Sequence, residues 1–243
     1  MRIILVRHGD PDYVKDCLTK KGKIQAEAVA ERLMGEKIDA IWSSSCGRAY
    51  ETALAFSKRS GLGPVRQLDF MREIRFGYGE ALYSTGNPWD ETDRMSREGE
   101  EILIRNWQEL PFFQGNAATE DVDKIAVETD NWMRELGYER DGLYYRCQRS
   151  DEKEYTVALF AHGGSGTAML ARLLNLPFFY LCGLLRMEHT AITIVRFEQK
   201  EGETGMPVLV SEDALSCVGE GTGRSLENIE LLQRVVMTTK KLK

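Results

Sequence analysis

Arg7-His8-Gly9 stands directly after the apolar run Ile3-Ile4-Leu5-Val6, and Pro11 follows within two residues. A short β-branched run of this kind reads as a strand buried on both faces, and the proline forbids its continuation. In an open α/β sheet, ligands bind beyond the carboxyl ends of the strands, so Arg7 and His8 occupy the place of a site. A guanidinium offers a planar fork that matches phosphate or carboxylate, and an imidazole beside it can attack or carry a proton. Two further segments have the same grammar. Tyr155 to Ala161 ends in His162-Gly163-Gly164-Ser165-Gly166, and Ile38 to Ser44 leads through Ser45-Cys46-Gly47 to Arg48 at the start of a helix. Backbone amides at a helix N-terminus attract negative charge, and Arg48 adds a cation. A fourth segment, Met71 to Glu80, carries Glu73 and Glu80 among glycines and aromatics. Arg beside His at the end of a strand suggests an anion such as phosphate or carboxylate. His189, the remaining histidine, precedes a strand without a motif partner and reads as structural.

The elements that must position these groups follow in order. A helix is expected from about Lys23 to Gly35, with Ile24, Ala28, Leu33 and Met34 as its apolar stripe. A second helix runs from Cys46 to about Arg59, and Val65 to Phe70 is a short strand. From Tyr83 the chain turns polar and irregular, with Asn87-Pro88-Trp89-Asp90 as a turn and helical pieces around Ser96 to Leu110. Val122, Ile125, Ala126, Thr129, Trp132, Met133 and Leu136 recur at helical spacing and predict a helix over 119–136. Tyr138 to Lys153 reads as a charged, tyrosine-rich loop, so 83–150 as a whole reads as a mostly helical insertion or lid. Thr167 to Leu174 is a helix, Thr190 to Phe197 and Val208 to Val210 are strands, and the tail has a helical stretch near Leu226 to Val236.

Composition narrows the class. The 243 residues carry a net charge of -6, which argues against general binding to nucleic acid or a membrane surface. An anion site must then be a focused cluster of Arg and His. The five cysteines are scattered with no C-x-x-C, which predicts neither a zinc site nor a disulfide framework and suits a reducing cytoplasm. The histidines show no H-E-x-x-H or H-x-H spacing, so no metal is expected. The opening residues lack a signal-peptide pattern and no apolar run is long enough to span a bilayer.

Leu5-Val6-Arg7-His8-Gly9 resembles the R-H-G signature of the histidine phosphatase (phosphoglycerate mutase-like) superfamily. Leu18-Thr19 with Gly22, Gln25 and Ala26 is similar to the L-T-x-x-G-x-x-Q-A segment that follows it there. Ser44 to Ala49 with Thr52-Ala53 resembles S-x-x-x-R-A-x-x-T-A, Met71-Arg72-Glu73-Ile74 with Gly77 resembles L-x-E-x-x-x-G, and Phe160 to Gly164 resembles the second-histidine segment. The matches cover 1–82 and about 155–197, in the family's order. The resemblance implies a single α/β domain over 1–243: a three-layer sandwich with a mostly parallel central sheet, helices on both faces and the insertion within it.

It also implies roles. His8 would attack phosphorus and form a phosphohistidine, Arg7 and Arg48 would grip the phosphoryl oxygens, and His162 with the Gly163 amide would complete the clamp. Glu73 would donate a proton to the leaving oxygen and later activate water, with Glu80 as the rival in the same loop. Thr19 is a candidate for either a phosphate contact or a turn. No cofactor is implied, and the partner is a small phosphorylated substrate. The mutases of the superfamily carry R-H-G-x-S-x-x-N, and Pro11 and Val14 stand at those polar positions here, which favours phosphatase over mutase. Asp10-Pro11-Asp12-Tyr13 is similar to α-ribazole phosphatase-like members. A non-catalytic phosphate-binding module is a third reading, disfavoured because Arg7, His8, Arg48, Glu73 and His162 are all present. A serine-hydrolase reading of His162 to Gly166 fails, because Thr167 stands where the elbow needs Gly and no histidine follows His189.

Overall fold

Residues 1–150 and 153–210 are described by a computed structural model, and the expected tail helix near Leu226 to Val236 lies outside them. The central sheet is built from β1 (Arg2–Arg7), β2 (Ala40–Ser44), β3 (Arg66–Leu68), β6 (Thr156–Ala161), β7 (Ile192–Arg196) and β8 (Val208–Val210). Its spatial order is β8-β7-β1-β6-β2-β3. The neighbours β1, β6, β2 and β3 are parallel, and β7 runs antiparallel to β1.

Side chains along a strand alternate between faces, and the core divides by that parity. Ile3 and Leu5, with Val157, Leu159 and Ala161, share one cluster with α4 (Ala117–Glu135) and α5 (Gly163–Leu174). Ile4, Val6, Ala158 and Phe160 are equally buried on the other face, where the Phe160 ring lies 6.3 Å from Phe56 of α2 (Gly47–Ser60). The helix α1 (Lys20–Leu33) packs on α2. Helices thus cover both faces of one sheet, a three-layer α/β arrangement. Each fully buried Ile, Leu or Phe contributes about 2 kcal/mol, so the doubly covered strands are the rigid frame for whatever their ends carry.

The stripe that α1 buries is Ala26, Val29, Ala30 and Leu33, whereas Ile24 and Met34 face solvent. Size misled: positions 26, 29, 30 and 33 have the stricter helical spacing, but small residues hold most of them. Thr19 caps this helix by accepting from the Gly22 amide at 3.0 Å.

The segment 83–150 departs from expectation in three places. Asn87 is not in a turn but caps α3 (Pro88–Arg97), its side chain accepting from the Trp89 amide with Pro88 in the first helical turn. Asn at the cap followed by Pro is a helix-start signal. Residues 98–106 are irregular rather than helical. Tyr138–Asp141 (β4) and Tyr144–Cys147 (β5) form a hairpin rather than a loop. Asp141-Gly142 is the turn chemistry that favours it, with Gly142 at φ +61°. Inside this segment α4 is no peripheral element, since Val122, Ile125, Trp132 and Met133 belong to the main core. A short helix, α6 (Phe178–Leu184), follows Pro177 and packs on α3. No single helix among the described residues is long and apolar enough to cross a membrane.

Candidate active site

Because β1, β6 and β2 are parallel, their carboxyl ends open on one edge of the sheet. Pairing of Arg7 with Ala161 and of Phe160 with Ser43 places His8, His162 and Ser44 side by side just past the ladder. The His8 amide donates to the Ala161 carbonyl at 2.9 Å, the last hydrogen bond before the strands part. Gly9 turns the chain away, donating to Thr52 Oγ1 at 3.1 Å, and a Cβ there would fall 2.6 Å from the Gly22 carbonyl oxygen. Only glycine lets the loop and the first turn of α1 approach this closely.

His8 is 1% exposed. Its Nδ1 lies 2.7 Å from the Gly9 carbonyl, which can only accept, so Nδ1 carries the proton and Nε2 keeps its lone pair. Arg48 Nε donates to that Nε2 at 3.3 Å. Burial, opposed by the Gly9 hydrogen bond and reinforced by Arg48, Arg7 and His189, lowers the His8 pKa to about 3. The imidazole is therefore neutral at physiological pH, with a fixed tautomer. That is the state a nitrogen nucleophile requires.

The cations and amides gather around it. Arg7 Nη1 donates to the Met187 carbonyl, and its guanidinium lies against Gly163, where an added Cβ would sit 3.6 Å from Arg7 Nε. Arg48, in the first turn of α2, is 8% exposed. The ring of His162 lies 5.0 Å from that of His8, and its Nε2 pairs with Ser44 Oγ at 2.9 Å. Burial first, then the positive neighbours, holds the His162 pKa well below the ordinary histidine value. Arg7 Nε and His162 Nδ1 are buried with no partner among the described residues. Unsatisfied polar atoms of this kind are costly in a finished core and ordinary in a site that awaits an anion. The helix expected from Thr167 starts instead at Gly163, with His162 as its cap, and the Ser165 amide of its first turn reaches into this cluster to Glu73.

Glu73 rather than Glu80 belongs to the site. Glu80 is exposed in the turn beyond Gly77–Tyr78. Glu73 Oε1 accepts from the Ile74 amide and, across the site, from the Ser165 amide of α5, both at 3.0 Å. Gly164 allows this approach, since a Cβ there would lie 2.5 Å from Glu73 Oε1. Oε2 makes no hydrogen bond among the described residues. Burial raises the Glu73 pKa, against the two amides and the more distant Arg48 and Arg7 that favour the carboxylate. A cavity of about 760 Å³ is lined by Arg7, Arg48, Glu73 and Gly163 of this cluster together with Phe76, Trp89 and Met187. A second of about 520 Å³ shares Arg48, Glu73, Tyr13 and Tyr83 with it. Among the described residues, no three His, Cys, Asp or Glu side chains are grouped to hold a metal ion.

Two expectations change here. The Thr19 hydroxyl is committed to Asp10 Oδ2, to which it donates at 2.6 Å, and to the Gly22 amide, so it serves the fold and not the phosphate pocket. Thr19→Ala is expected to cost about 1 kcal/mol in denaturant unfolding and to leave the KM for an aryl phosphate within twofold. His189, read as structural, has its ring 5.6 Å from that of His8 and its Nδ1 3.9 Å from Asp10. The Thr190 amide beside it donates to the Arg7 carbonyl at 3.1 Å. Sequence reasoning also missed Asp16, whose carboxylate receives the Gly47 amide at 2.7 Å and pairs with Arg48. Burial alone would raise its pKa, but these two partners outweigh it and hold the group below the usual carboxylate range.

Known proteins are similar to this chain in sequence and fold. The model of the histidine phosphatase superfamily (branch 1) matches residues 3–206. Glucosyl-3-phosphoglycerate phosphatase of Mycobacterium tuberculosis is 29% identical over 185 residues, covering 72% of this chain and 76% of that protein. Putative phosphoserine phosphatase 2 of Hydrogenobacter thermophilus is 24% identical over 206 residues, covering 81% and 90%. The native structure of the mycobacterial glucosyl-3-phosphoglycerate phosphatase superposes with a TM-score of 0.60 at 25% identity, covering 86% of this chain and 96% of that one. The chain belongs to the histidine phosphatase superfamily, branch 1, and, with relatives in that family named phosphatases, is a phosphoric monoester hydrolase.

Proposed function

We propose that this chain hydrolyses a small phosphorylated metabolite without a metal, through a phosphohistidine on His8 Nε2. The observation that carries this reading is the buried, neutral His8 with its proton held on Nδ1 and its unprotonated Nε2 accepting from Arg48. In the first step His8 Nε2 forms a bond to phosphorus in line with the breaking bond to the leaving oxygen. Arg7, Arg48, His162 and the Gly163 amide hold the three equatorial oxygens, and such fixed donors do most of the work in phosphoryl transfer. Glu73 gives its Oε2 proton to the departing oxygen. In the second step the carboxylate takes a proton from water as that water attacks phosphorus, which returns orthophosphate, His8 and protonated Glu73.

The relatives' names, a glucosyl-phosphoglycerate phosphatase and a phosphoserine phosphatase, support a small soluble ester as substrate. The 760 Å³ cavity has room for such a leaving group. Residues 83–116, which supply Tyr83, Asn87, Trp89 and Asp90 to its wall, act as a partial lid in this reading. A mutase reading lacks its polar residues: Pro11 starts a two-residue ladder and Val14 is almost wholly exposed. The test is turnover of 4-nitrophenyl phosphate with EDTA present, together with rapid-quench trapping of an acid-labile, base-stable phosphoenzyme. Metal-dependent turnover, or a phosphoenzyme that survives His8→Ala, would overturn it.

A further inference from the structure

Arg48 is not a free cation waiting for phosphate. Its Nη1 pairs with Asp16, its Nε points at His8 Nε2 at 3.3 Å, and the Tyr13 ring lies 5.4 Å from its Cζ. Asp16 is itself held firmly. It sits in the left-handed region at φ +49°, its Oδ2 receives the Gly47 amide at 2.7 Å, and its own carbonyl lies 2.1 Å from where a Gly47 Cβ would be. One carboxylate thus holds the amide that opens α2 and the guanidinium one residue later. Arg48 is also a partner that a phosphoryl oxygen would use, and Asp16 lines the 520 Å³ cavity beside it. Arg7, by contrast, spends its Nη1 on a neutral carbonyl, and among the described residues no carboxylate pairs with it.

We propose that Asp16 is a positioning residue that aims Arg48 at His8 and, by competing for the same guanidinium, limits how tightly the site holds orthophosphate. The inference rests on the phosphatase reading for its kinetic consequence, not for its binding consequence. A guanidinium already paired with a carboxylate attracts a dianion less than a free one does. Both the Michaelis complex and the product complex are loosened, and product leaves sooner. The aim of Arg48, fixed by Asp16 and Tyr13, is kept between turnovers.

The decisive measurement is orthophosphate affinity, by calorimetry and as a product-inhibition constant, for wild type, Asp16→Asn and Asp16→Glu. Asparagine keeps an oxygen for the Gly47 amide but removes the charge beside Arg48. Phosphate is expected to bind Asp16→Asn about fivefold more tightly than wild type, with Asp16→Glu returning toward the wild-type constant. KM for the aryl phosphate falls in parallel, and kcat falls wherever release limits turnover. A purely structural Asp16 predicts the opposite sign, weaker phosphate and higher KM, and that result or an unchanged constant would overturn the proposal. Calorimetry repeated in a His8→Ala background separates the two claims: failure of the phosphohistidine mechanism leaves the Asp16 effect on binding intact, and failure of the Asp16 effect leaves the mechanism intact.

Discussion

His8→Ala is expected to lower turnover of 4-nitrophenyl phosphate by at least about 10⁴-fold in EDTA while orthophosphate still binds. The size follows from what is removed. In the proposed mechanism attack by His8 divides one difficult displacement into two, and neither neighbouring imidazole, His162 nor His189, has the Gly9 and Arg48 contacts that orient His8. Binding persists because Arg7, Arg48 and the α5 N-terminus do not depend on the imidazole for their anchors: Arg7 holds the Met187 carbonyl and Arg48 holds Asp16. Loss of a buried ring costs roughly 1–3 kcal/mol of stability, so a thermal melt of the variant accompanies the assay. A folded variant with undiminished turnover would mean that the nucleophile lies elsewhere. A folded variant that no longer binds phosphate would mean that the anion contacts are misassigned.

Glu73→Gln should divide substrates by their leaving groups. An alkyl phosphate needs a proton on the departing oxygen and should lose about 10²–10⁴-fold, whereas a nitrophenolate leaves unaided and should lose far less in the first step. The pH profile gives the sign. In the proposed mechanism cleavage needs the acid form of Glu73, so kcat/KM for the alkyl ester is expected to fall as pH rises through the Glu73 pKa. Burial places that limb above the ordinary carboxylate range. His8, with its pKa near 3, contributes no limb close to neutrality. In Glu73→Gln the basic limb should vanish. If it persists, some other group is the acid, and Glu80, exposed as it is, becomes the next to substitute.

Much of this site could be read from the chain because its parts are short-range statements. A buried strand that ends in Arg-His-Gly announces itself within nine residues, and so does one that ends in His-Gly-Gly. Glu73 was harder, since what separates it from Glu80 is an amide 92 residues away on α5. His189 and Asp16 carried no local mark at all. The first reaches His8 only because β7 returns beside β1, and the second acts through a left-handed backbone that a residue-type pattern does not display. The hairpin Tyr138–Cys147 and the start of α3 are different cases. Asp-Gly and Asn-Pro were legible signals, and the weight given to charge and polarity in that stretch hid them.

The register of β1 has a consequence for how the molecule comes into being. Ile4 finds its ladder partners in Ala158 on one side and Ile194 on the other, so the strand that leads to His8 pairs only with segments far later in the chain. Such distant closures are entropically expensive and slow, and the unpaired strand is an aggregation hazard meanwhile. Because the candidate anion pocket exists only once β1 and β6 have zipped together, orthophosphate is expected to bind the native state alone. At 100 times its dissociation constant it should add about 2.7 kcal/mol to the folding equilibrium, making a reaction product also a folding aid.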